Sequence, residues 1–193
     1  MPHSSSEGKP WMRDEIWKAL DGADPRFDAD GDRLAPRVLD IGAGAGTYAD
    51  LLASTMPRRW QPHMTAVEIH EPYVDRFGLL RKYDEVIVGD ARAIDLPEAD
   101  VVILGDVLEH VGFGDAKRLW AKARAAATAA VFLSLPIVEW PQGPFDGNEH
   151  EAHLHSWTHA SVQANLPGIF DWQLGEAVGV YSAHPSRPAV GQP

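Results

Sequence analysis

Cysteine is absent from the 193 residues. Disulfides, thiolate metal sites and cysteine nucleophiles are excluded together. Basic residues are outnumbered: 17 Lys and Arg against 28 Asp and Glu leave a formal net charge of -11. A surface of that sign repels a phosphate backbone, whose binding is mostly electrostatic. No run of lysine or arginine supplies a local exception, so nucleic acid is a poor partner and a small molecule a better one. No apolar run approaches the roughly 18 to 20 residues needed to span a bilayer. The stretch MPHSSSEGKPWMRDEIWKAL carries no apolar signal-peptide core. The expectation is a cytoplasmic protein without a membrane partner; nothing in the sequence specifies an oligomeric state.

The remaining composition suits one globular domain, with 45% hydrophobic and 23% charged residues. The length is sufficient for a full core. The first ten residues are polar and are expected to be mobile. RDEIWKAL (Arg13 to Leu20) places Ile16, Trp17 and Leu20 on one helical face. From Pro36 the pattern alternates. RVLDI, HMTAVEI, DEVIVGD, ADVVILGD and AVFLSLP read as strands; TYADLLAS, PYVDRFGLLRKY and DAKRLWAKARAAATA read as helices, the last with Asp115 as N-cap. This order predicts an α/β, Rossmann-like, doubly wound sheet that is mainly parallel. Beyond Pro136 an irregular loop runs to about Trp157, then a short helix THASVQANL. IFDWQLGE and AVGVYSA follow as two late strands able to pair antiparallel at one edge. The expected division is 1–35 (tail and cap helix), 36–184 (main domain) and 185–193 (tail).

The loop Gly42-Ala43-Gly44-Ala45-Gly46 follows the first strand, which ends at Asp40. In a doubly wound sheet ligands sit at the carboxyl ends of the strands. Glycine lets the backbone approach them closely. A dinucleotide fingerprint has G-x-G-x-x-G spacing. Here the spacing is G-x-G-x-G, and Thr47 or Tyr48 stands where the third glycine would be. A bulky residue there is expected to crowd a pyrophosphate, which favours a ligand with one nucleoside. Glu68, at the end of the second strand, can accept both hydroxyls of a ribose. Asp90, beside Ala91 after the third, can accept from an adenine amine.

In this order, VLDIGAGAGTYADLL, AVEI, VGDA and ADVVILGDVLEHV resemble the motifs of class I S-adenosylmethionine-dependent methyltransferases, over roughly Val38 to Pro136. The last block resembles the D-x-L-E-H-V form of many small-molecule members. The resemblance implies a seven-stranded sheet with an antiparallel last strand. It also implies S-adenosylmethionine as donor, held by Asp40, Gly42, Ala43, Gly44 and Gly46, by Glu68 and Ile69, by Asp90 and Ala91, and by Asp106. It further implies that the N-terminal helix covers the site, where Trp11, Trp17, Trp140 and Trp157 could wall the acceptor.

Methyl transfer from a sulfonium needs donor and acceptor aligned at about 3 Å, and a hydroxyl or ammonium acceptor needs a base as well. Asp106 and His110 follow the fourth strand. The loop EWPQGPFDGNEHEAHLHSWTH adds His150, His153, His155 and His159 among Glu149 and Glu151. Asp106, His110, His153 and His155 are the candidate catalytic residues. The loop's polar residues could instead pin it over the sheet. Histidines with carboxylates suit several divalent ions, but a metal is not favoured and no metal ligands are assigned. The expected reaction is methylation of a small molecule, such as a sugar or natural product, at oxygen or nitrogen. The alternatives are a non-catalytic donor-binding module or a methyltransferase acting on a macromolecule.

Overall fold

The computed structural model describes residues 6–55 and 61–186. Seven strands form one sheet: β1 (Arg37–Ile41), β2 (His63–Glu68), β3 (Glu85–Val88), β4 (Ala99–Gly105), β5 (Ala127–Pro136), β6 (Ile169–Leu174) and β7 (Val178–Ala183). Their spatial order is β3-β2-β1-β4-β5-β7-β6. The first five run parallel. β7 pairs antiparallel with both neighbours, so it lies inside the sheet and β6 takes the edge. Strand order reverses between β1 and β4, which opens a crevice at their carboxyl ends.

Apolar alternation puts core on both faces. β4 is buried along its whole length, as a strand covered on both sides must be. On one face, α1 (Lys9–Asp21) lays Met12, Ile16 and Leu20, and α2 (Thr47–Thr55) lays Tyr48, Ala49 and Leu52, against Val38, Val101, Ile103, Phe132 and Val180. On the other, α4 (Phe113–Ala126) packs Leu119, Trp120 and Ala123 against Val102, Leu104, Val131 and Leu133. α5 (His159–Asn165) adds Val162 there, and starts at a capping box between Thr158 and Ser161. No helix of the described residues is long and apolar enough to cross a membrane.

Several elements differ from the sequence expectation. PYVDRFGLLRKY is not one helix: α3 (Pro72–Arg76) ends, and a 3-10 turn (Leu79–Arg81) follows Gly78, whose φ of 63° breaks the helical path. α4 starts two residues earlier than Asp115, with Gly112 as its N-cap. It passes into β5 at Ala127 without a loop, so ATA is strand. α1 already begins at Lys9, within the stretch expected to be mobile. It packs on β4, β5 and β7 rather than over the strand ends. Residues 1–5 and 187–193, parts of the two expected tails, lie outside the described residues.

Candidate active site

A cavity of about 530 Å³ opens at the carboxyl ends of the parallel strands. Gly42, Ala43, Gly44, Ala45 and Thr47 form one wall, and Glu68 and Ile69 the next. Asp90, Ala91 and Arg92 follow, then Asp106, Glu109 and His110. The loop after β5 closes the far side with Trp140, Gln142, His150, His153 and Leu154.

The glycine loop needs its glycines for conformation. Gly42 and Gly44 have φ of 72° and 51°, where a Cβ is disfavoured. A Cβ on Gly42 would also come within 2.6 Å of Val107 Cγ2. The loop is tied to its neighbour strand: Gly44 N donates to Glu68 Oε2 at 2.8 Å, and His70 N donates to Oε1 at 2.8 Å. Glu68 therefore clamps two loops while still lining the cavity. Burial raises its pKa, opposed by those two amides.

Asp90 is held by Arg92, which donates from Nε and Nη2 to the carboxylate. That pairing lowers its pKa. Arg92 itself lines the cavity, a basic group absent from the sequence expectation.

Asp106 has φ of 56°, a left-handed conformation that aspartate tolerates better than most residues. Ser134 on β5 fixes it twice: Asp106 N donates to Ser134 O at 2.8 Å, and Ser134 Oγ donates to Asp106 Oδ1 at 3.0 Å. Oδ2 is buried and has no hydrogen-bond partner among the described residues. Glu109, 2% exposed, has both carboxylate oxygens in the same condition. Burial, then the neighbouring Asp106, raises its pKa well above the carboxylate range. Sequence reading passed over Glu109 as a site residue; only the turn at Leu108–His110 aims it inward.

His110 and His153 meet as an edge-to-face pair with ring centroids 4.7 Å apart. Burial and then His153 lower the pKa of His110, so it is held toward the neutral form. The loop that carries His153 is anchored by main-chain bonds from Leu154 N and His155 N to Glu109 O, at 2.8 and 3.1 Å. Tyr73 Oη donates to Glu151 Oε1 at 2.9 Å and ties it to α3.

Other candidates lie elsewhere. Asp40 is 1% exposed, points to the face covered by α1 and α2, and accepts from Tyr83 Oη at 2.6 Å; it does not line the cavity. Gly46 turns toward Lys82, whose Cδ a Cβ would meet at 2.7 Å, and serves packing. His155 packs on Phe113 and Trp157, outside the cavity. His159 pairs with Tyr181 and Trp172. Trp157 is core, and Trp11 and Trp17 pack against the core of the α1 face, so only Trp140 of the four tryptophans reaches the cavity. Tyr48 is also turned away: its ring lies against Gly105, where a Cβ would collide with Cε2. It cannot crowd a pyrophosphate; Thr47 is the residue facing the ligand space.

A family model described as a methyltransferase domain matches residues 39–128. No curated protein matches the sequence. Among solved structures, magnesium protoporphyrin IX methyltransferase from Synechocystis PCC 6803, with bound S-adenosylhomocysteine, is 19% identical at a TM-score of 0.61, covering 93% of this chain and 84% of that one. The 1,6-didemethyltoxoflavin-N1-methyltransferase of Burkholderia thailandensis is 16% identical at 0.60, with 95% and 80% covered. An amino pentose methyltransferase from Micromonospora echinaspora, bound to S-adenosylmethionine, is 15% identical at 0.59, with 94% and 92% covered. At these identities the structures show a shared fold. The domain match over residues 39–128 and the shared fold make the chain similar to class I S-adenosylmethionine-dependent methyltransferases.

Proposed function

We propose that the chain binds S-adenosylmethionine in this cavity and transfers its methyl group to an oxygen or nitrogen of a small molecule. The observation that carries the reading is the charge of the cavity wall. Glu68, Asp90, Asp106, Glu149 and Glu151 line it against one guanidinium, Arg92, while Glu109 beside them is held toward its neutral form. Such a wall favours a sulfonium with an attached ammonium and disfavours a pyrophosphate.

In this reading the glycine loop faces the methionine and ribose part, and Glu68 turns its free acceptor capacity to the ribose hydroxyls. Ile69 flanks the adenine, and Asp90 with Ala91 meets its amine. The unpartnered Oδ2 of Asp106 accepts from the donor's ammonium. The acceptor enters from the side of Trp140, His150 and Leu154. As the new bond to its oxygen or nitrogen forms, the bond from methyl carbon to sulfur breaks and its electron pair stays on sulfur. The acceptor's proton passes to a base on that side, His153 or His110. Enclosure by the loop aligns the two reactants and limits water.

The deciding experiment is calorimetric titration with S-adenosylmethionine, S-adenosylhomocysteine and NAD, followed by turnover against a panel of sugars, phenols and amines. Micromolar binding of the first two and none of NAD is expected. Donor binding with no turnover on any acceptor would favour the non-catalytic module. Binding of NAD alone would remove the methyltransferase reading.

A further inference from the structure

Glu109 is an anomaly in the core of the site. A buried carboxylate is normally hydrogen-bonded or paired. This one is 2% exposed, lines the cavity, and has no hydrogen-bond partner at either oxygen among the described residues. Its own main-chain oxygen is what draws the loop after β5 inward, through Leu154 N and His155 N. That contact delivers His153 beside His110. One nitrogen of each ring and one oxygen of Glu109 all lie within 4.8 Å of one another.

The hydrogen bonds behind the two rings set their chemistry. His153 Nδ1 lies 2.6 Å from Trp140 O, and His110 Nδ1 lies 3.4 Å from Ala152 O. A carbonyl can only accept, so each Nδ1 carries the hydrogen and each Nε2 keeps its lone pair. Imidazoles that ligate metals are characteristically held this way, with the second nitrogen donating to a carbonyl or carboxylate.

We infer that Glu109, His110 and His153 form a binding site for a divalent first-row transition-metal ion on the acceptor side of the cavity. Two imidazoles and one carboxylate on one side of an ion, with the remaining positions open, suit zinc, cobalt or iron(II) better than magnesium or calcium, which take oxygen ligands. Ligand bonds of about 2.1 Å require the three side chains to draw in by a rotamer-scale movement. Glu109, His110 and His153 line the same cavity as Trp140, His150 and Leu154, the side assigned above to the acceptor. An acceptor oxygen bound there would be oriented and its proton lost more readily; with both imidazoles engaged as ligands, that proton would leave to solvent water instead of to His110 or His153. That role rests on the proposed methyl transfer; occupancy of the site does not.

The test uses the full chain, stripped with a chelator and titrated with Co2+, followed by visible absorption and calorimetry. One Co2+ per chain is expected, with the absorption of a nitrogen- and oxygen-ligated ion, displaced by Zn2+. Glu109→Gln and, separately, His153→Ala should each weaken Co2+ binding by about tenfold or more. Glu109→Gln keeps the shape of the side chain and carries no charge, so it should stay folded; thermal melting of both variants checks this. No Co2+ binding, or equal binding by wild type and both folded variants, overturns the site. Titration of the same samples with S-adenosylhomocysteine separates the two readings. Its binding without cobalt sinks the metal site alone, whereas its failure to bind sinks the donor assignment whatever cobalt does.

Discussion

Lys9 in the first turn of α1 donates from Nζ to Tyr48 Oη at 2.5 Å, joining residues 39 positions apart in a buried site. Tyr48 Oη lies 2.9 Å from Ser134 Oγ, which in turn donates to Asp106 Oδ1. A lysine can only donate and an ionised carboxylate can only accept. The chain of bonds therefore runs in one direction, from the N-terminal helix to the cavity wall. Burial lowers the pKa of Lys9, opposed by the charges of Asp106, Asp40 and Glu109.

Removing the middle of this chain should cost more than removing its end. Tyr48→Phe strands the Lys9 ammonium without its acceptor, and about 2 to 3 kcal/mol of stability is expected to be lost. Lys9→Met removes the charge itself. The double variant Lys9→Met with Tyr48→Phe should therefore be more stable than Tyr48→Phe alone, by at least about 1 kcal/mol. Urea midpoints at constant slope measure the difference. Simple addition of the two single losses would show that the contact carries no coupling.

Glu68 is both a clamp and a candidate ribose acceptor, and two substitutions separate the roles. Glu68→Ala releases the amides of Gly44 and His70 and removes the acceptor. Its expected cost to S-adenosylhomocysteine binding is about 1.5 to 3 kcal/mol, typical of hydrogen bonds to a charged group. Glu68→Gln keeps one carbonyl acceptor and should lose less. Affinity equal to wild type in Glu68→Ala would take this carboxylate out of the ligand site.

The fold was legible because alternation of strand and helix periods survives wherever an element is long and buried, as in ADVVILG or KRLWAKARAA. It failed where a local event interrupts a period. Gly78 breaks an amphipathic run at a positive φ, and β5 starts inside an alanine stretch with no preference of its own. At the site, residues directly after strand ends could be placed, because a parallel sheet brings its carboxyl ends together. Direction of side chains could not: Asp40 and Tyr48 belong to the right segments but point into the α1 face. Glu109 and His153 are 44 positions apart, and their meeting depends on a loop pinned by main-chain bonds to Glu109 O. No periodicity encodes that contact.

Gly44 occupies open space, since a Cβ there would meet only Gly42 O, at 3.8 Å. Its restriction is conformational, at φ of 51°. A β-branched residue is a true outlier in that region. Gly44→Val should force the loop out of its path, break its bond to Glu68 Oε2 and abolish donor binding. The rest of the fold should persist, since the position is in a surface turn. Unchanged affinity for S-adenosylhomocysteine, with an unchanged circular dichroism spectrum, would refute the assignment of the loop.

Asp40 offers a pH signature distinct from a binding role. Burial raises its pKa from 3.8 to about 7, although the Tyr83 hydrogen bond and the Lys9 charge act in the opposite direction. Between those values the folded chain keeps a proton that the unfolded chain has released. Stability must then fall as pH rises from about 4 to about 7. Asp40→Asn has nothing to titrate, and its carbonyl can still accept from Tyr83 Oη, so its stability should decline less over that range. Urea unfolding at intervals of pH gives both slopes, and identical slopes would mean that Asp40 ionises normally in the folded chain. Because Asp40 does not line the cavity, Asp40→Asn should also retain S-adenosylhomocysteine binding at pH 6. Loss of binding in a variant that is still folded would restore Asp40 to the donor site that the sequence assigned it.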